Sequence, residues 1–80
     1  MPNVMIGAKF VSLSYYGGFG LEVVTSKEKH WIFFGRNPLA VALFIQANEV
    51  RHFFYNGTVA DNAEHLEGFQ AACKSINYEV

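Results

Sequence analysis

The imidazoles and the one thiol of this chain, candidate metal ligands and catalytic groups, are His30, His52, His65 and Cys73. Zinc sites draw their ligands from closely spaced Cys and His pairs, and these four form no such pair. His65 and Cys73 stand eight residues apart. On a helix rising ~1.5 Å per residue they are about 12 Å apart along the axis, too far to share one ion. A Cys–His catalytic pair would need Cys73 as a thiolate in a partly exposed, electropositive spot, with His30 or His52 in reach. Cys73 falls instead on the apolar stripe of a helical segment, the place of a buried structural thiol. Glu64 and Glu67 belong to the first turns of that same helix, where carboxylates complement its dipole and stay solvated.

Phosphate chemistry has no better support. Gly17-Gly18-Phe19-Gly20 joins two expected strands, whereas phosphate-cradling loops lead directly into a helix. Gly35-Arg36-Asn37-Pro38 does lead into a helix, and free N–H groups there attract anions. Arg36 adds a bidentate donor, but Pro38 removes one amide and Asn37 can occupy another. The chain therefore reads as non-enzymatic, with no cofactor and no metal. The side chains left over are aromatic. Tyr15, Tyr16, Phe19, Trp31 and Phe33, with Arg36 beside them, are the candidate partner-binding residues. Core packing is the competing use for part of this set, because aromatics serve both cores and interface hot spots.

The elements that must position them follow from periodicity. Residues 8–16 alternate as a strand, with Val11, Leu13 and Tyr15 on one face and Phe10, Ser12, Ser14 and Tyr16 on the other. Residues 20–25 form a second strand with Leu21 and Val23 on one face, and residues 30–35 a third. Short connections make these a three-stranded antiparallel meander. Asn37-Pro38 starts a helix expected to run to about Asn48, with Leu39 to Ile45 as core. For residues 49–60 two readings compete. One is a longer helix ended by Gly57, the other a fourth strand with a hairpin turn at Asn56-Gly57. The β-branched and aromatic residues of Val50 to Tyr55 favour the strand. Asp61 and Glu64 have capping-box spacing ahead of a last helix striped by Ala63, Leu66, Phe69, Cys73 and Ile76. Gly68 within that helix suggests a close approach of another element. The expected fold is α+β: a small antiparallel sheet of three or four strands with two helices on one face.

One feature does not balance. In the third strand Ile32 and Phe34 point one way and Trp31 and Phe33 the other, so both faces are apolar. A sheet covered on one side should alternate apolar with polar. Bulk composition agrees with a covered second face: 51% of the 80 residues are hydrophobic and 16% charged, against about 25% charged in typical domains. The net charge of −1, with six Lys and Arg, makes nucleic acid an unfavoured partner. A single cysteine fits a reducing, cytoplasmic setting, and no apolar run approaches the ~20 residues of a membrane span. The expectation is one globular domain over residues 1–80, a small protein-interaction module whose partner is another protein, with a homodimer as one form. An 80-residue domain without catalytic groups also suits a phage or mobile-element inhibitor of host defence, of the anti-CRISPR type. The alternatives are nucleic-acid binding by the aromatic face with Lys9, Lys27, Lys29, Arg36 and Arg51, and an anion or small-ligand site at Gly35 to Pro38.

Overall fold

The computed structural model describes residues 8–25, 27–50 and 52–78. In chain order the elements are β1 (Ala8–Tyr15), β2 (Phe19–Thr25), β3 (Lys29–Gly35), α1 (Pro38–Ala47), β4 (Phe53–Tyr55), α2 (Gly57–Ala60) and α3 (Ala63–Ser75). The sheet order is β3-β2-β1-β4. The first three strands form the antiparallel meander that the alternation predicts. The β1–β2 turn closes when the Tyr16 N–H donates to the Gly18 carbonyl at 2.9 Å, with Gly17 at φ 70°. That left-handed backbone is open to glycine without a Cβ penalty. At the β2–β3 turn the Thr25 hydroxyl oxygen accepts from the N–H groups of Lys27 and Glu28 at 3.3 and 3.0 Å.

Strand alternation decides where the core lies. Val11 and Leu13 of β1 and Leu21 and Val23 of β2 are fully buried against the helices. Phe19 of β2, Val41, Ala42 and Ile45 of α1, Val59 of α2, and Phe69 and Cys73 of α3 complete the core. The domain is thus α+β, with its helices on one face of a four-stranded sheet.

The fourth strand is present, but it joins β1 in parallel, which makes the sheet mixed: Val11, Ser12 and Leu13 face Phe53, Phe54 and Tyr55. Asn56-Gly57 is not a hairpin turn. A type I′ turn needs positive φ at both central residues, and Asn56 sits at φ −67°. Its side chain instead caps α2, accepting from the Thr58 N–H at 3.0 Å. Burial wins over turn propensity here, because the short helix carries Val59 into the core.

Helix α1 starts as expected, with the Ala40 N–H donating to Asn37 Oδ1 at 3.0 Å and Pro38 in the first turn. Its apolar run is only partly core. Leu39 and Leu43, one turn apart on the side away from the sheet, stay exposed. The cap of α3 is Asn62, whose Oδ1 accepts from the His65 N–H at 3.2 Å, not Asp61. Asp61 closes α2, its N–H donating to the Gly57 carbonyl at 3.0 Å. Ala63 lies exposed at the start of the α3 stripe.

Gly68 permits no close approach, since a Cβ built there meets nothing within 4 Å. Gly68→Ala is therefore expected to stabilise the domain by about 0.5–1 kcal/mol, the usual cost of glycine inside a helix. A higher urea midpoint at unchanged slope is the observation that checks it.

Candidate functional site

The sheet face opposite the helices is built from alternate residues of all four strands. The pairing register lays them out in three rows across the strands. Trp31, Glu22, Ser12 and Phe54 make the central row. Phe33, Gly20 and Ser14 form the row on one side of it, and Lys29, Val24 and Phe10 the row on the other. Trp31 is 52% exposed, Phe33 58% and Phe54 54%. Phe10 meets Phe54 edge to face, ring centroids 5.8 Å apart. Aromatic rings thus line both margins of this open face; Glu22, Ser12, Gly20 and Ser14 fill most of its middle, with Val24 and Phe10 at one end. From β3 to β4 there are three strand spacings of ~4.8 Å, a width of about 14 Å.

The glycines of the β1–β2 region set how the rings lie. A Cβ on Gly20 would fall 2.3 Å from Trp31 Cζ2, and one on Gly18 would fall 2.5 Å from Phe33 Cζ. Both rings therefore occupy the space that side chains would take, Trp31 over Gly20 of β2 and Phe33 over Gly18 of the turn. Ser14, opposite Gly20 in the ladder, is only 3% exposed although it points to the open face.

Glu22 stands between Trp31 on β3 and Ser12 on β1, half-buried at the centre of this face. Among the described residues the one side-chain contact of salt-bridge geometry joins His30 Nε2 and Glu28, at 2.8 Å, so Glu22 has no cation paired with it there. The other charged residue in the rows is Lys29, exposed at the start of β3.

The structure divides the sequence-derived candidates. Trp31 and Phe33 lie together on the open face, and Tyr16 is exposed in the adjoining β1–β2 turn. Phe19 is 4% exposed and belongs to the core. Tyr15 points to the helices and stacks on His65, with centroids 3.7 Å apart and planes 16° apart. That contact also takes His65 off the solvated side of α3, where the helical pattern alone places it. Neither Tyr15 nor Phe19 is presented to a partner by the open face. Arg36 is exposed at the β3–α1 junction and forms no ion pair among the described residues. Of the basic residues grouped with it, Lys27 and Lys29 are exposed, while Arg51 and the side chain of Lys9 lie outside the described residues.

Phe54 and Glu22 have no place in the sequence-derived set. The alternation of β2 puts Glu22 opposite Leu21 and Val23, which is a readable signal. Phe54 joins the face only through the parallel pairing of β4.

The reactive groups are not assembled. Among the described residues no cluster of three or more His, Cys, Asp and Glu could hold a metal ion. Cys73 is buried, and burial pushes its thiol above the ordinary range, away from thiolate. Burial likewise raises Tyr55 and Tyr78, and the nearby Cys73 adds to both shifts. A hydrogen bond from Gln70 opposes the shift at Tyr55. No helix among the described residues is long and apolar enough to cross a membrane. The chain matches no protein-family model, no curated protein and no solved structure.

Proposed function

We propose that this protein is a non-catalytic binding module that docks on another protein through its open sheet face. The observation that carries the reading is the pair Trp31 and Phe33, both more than half exposed on a regular strand. Large aromatics have few side-chain torsions to lose on binding and rank among interface hot spots. Glycines beneath them leave room for the rings to lie low on this face. The role attached to this reading is steric inhibition of a larger assembly, in the manner of a phage or mobile-element inhibitor of the anti-CRISPR type. A nucleic-acid ligand fits less well, because a carboxylate at the centre of the face repels phosphate.

The test is affinity capture from the native host with wild type, Trp31→Ala and Phe33→Ala, alongside light scattering of the free protein at micromolar concentration. Wild type is expected to retain a discrete partner. Each variant should bind it at least about 30-fold more weakly, the level of a hot-spot truncation of ~2 kcal/mol. Both should remain folded, since the rings are not core. If wild type is monomeric, retains nothing, and the variants change only stability, the reading is wrong.

A further inference from the structure

The sheet face is not only aromatic; it has an acid at its centre. A partner that covers Trp31, Phe33 and Phe54 also covers Glu22, because the register places Glu22 within the row those margins enclose. A carboxylate taken out of water must be paired or neutralised. The protein itself offers no cation to it among the described residues. Ser12 stands directly opposite on one side and can donate only a single neutral hydrogen bond. Trp31 is paired with Glu22 on the other side; its ring lies over Gly20 and is half exposed, which leaves its outer face open to a cation.

Resting on the reading of the open face as a protein-binding surface, we propose that Glu22 and Trp31 form a socket for a basic side chain of the partner. Arginine suits the socket better than lysine. Its planar guanidinium can take the carboxylate in bidentate fashion while stacking on an indole. Lys29 does not compete for the socket: it sits one row away, exposed at the margin, where charges contribute little to affinity. The partner segment therefore presents one Arg or Lys to the middle of the face, with apolar residues on either side for the aromatic margins.

The probe is a random linear peptide library, selected separately on wild type, Glu22→Gln and Glu22→Lys, with Trp31→Ala and Phe33→Ala as face controls. Glutamine keeps the shape of Glu22, and far-UV circular dichroism confirms folding of each variant. Wild type is expected to enrich peptides with an arginine or lysine at one fixed position. Their binding should weaken on the order of 30-fold in Glu22→Gln, as for a partner charge left unpaired, and weaken with salt only in wild type. Glu22→Lys should shift enrichment toward Asp and Glu. If selected peptides need Trp31 and Phe33 but show no basic preference and tolerate Glu22→Gln, the socket is disproved while the binding face stands. If no enriched peptide depends on Trp31 or Phe33, both ideas fall. A wild-type dimer that Glu22→Lys dissociates would make the occupant a second copy and overturn the separate partner.

Discussion

Phe69→Ala is expected to remove a large share of the stability of the domain. The ring is fully buried, stacks on Phe53 with centroids 5.5 Å apart, and meets Tyr55 edge to face at 5.9 Å. It therefore holds β4 against α3, and no other large side chain of α3 is fully buried. Truncating a buried phenylalanine costs about 3–5 kcal/mol, the larger values applying where the walls cannot collapse. Rigid aromatic neighbours on either side favour the upper end. The whole domain commands about 4–12 kcal/mol at ~0.05–0.15 kcal/mol per residue. With a urea slope of ~1–1.5 kcal/mol per molar, the midpoint should fall by about 2–5 M. A loss under about 1 kcal/mol, far below the usual cost, would show that the ring is not the keystone of this side of the core.

Gly18→Ala should be the next most damaging change, for a different reason. The new Cβ would meet Phe33 Cζ at 2.5 Å, which a ring can relieve by turning. It would also meet the Cα and carbonyl carbon of Gly35 at 2.8 and 2.9 Å, and backbone cannot turn aside. Overpacking of this kind costs about 1–3 kcal/mol. Gly20→Ala makes the useful comparison. Its closest contacts, from 2.3 Å, are all atoms of the Trp31 ring. That ring is half exposed and can lift, so Gly20→Ala should lose less stability than Gly18→Ala yet move Trp31 fluorescence to longer wavelength. Equal losses in thermal or urea unfolding would mean that side-chain crowding, rather than the Gly35 backbone, decides both.

How far the fold could be read in advance depended on whether a local signal was unique. Alternation in β1 and β2 leaves one choice of buried face, and Val11, Leu13, Leu21 and Val23 occupy it. The doubled apolar pattern of β3 likewise marks a second apolar face. Helix α1 offers no such contrast: Pro-Leu-Ala-Val-Ala-Leu-Phe-Ile-Gln-Ala has no charged residue, so nothing in it distinguishes the side of Val41 from the side of Leu43. Asp61 and Asn62 are neighbours and both competent caps, and only the docking of α2 decides between them. Three residues of β4 carry no sign of strand direction. The open face suffers from the same gap. Trp31 and Phe33 were legible as outward rings, but the centrality of Glu22 and the arrival of Phe54 depend on strand order and register, which are long-range properties.

The strand order also leaves the sheet with two unequal margins. One is β3, seven residues from Lys29 to Gly35; the other is β4, three residues from Phe53 to Tyr55. Unpaired strand margins recruit other strands. Two copies that meet β3 to β3 use the same surface on both molecules, so their contact has two-fold symmetry and consumes both long margins at once. What remains at either end is the three-residue margin, too short to extend a ladder far. Head-to-tail joining of β3 to β4, the arrangement that propagates without limit, can match only those three residues. Any association of copies along these edges would therefore stop at a pair, because the three residues of β4 are too few to carry a ladder onward.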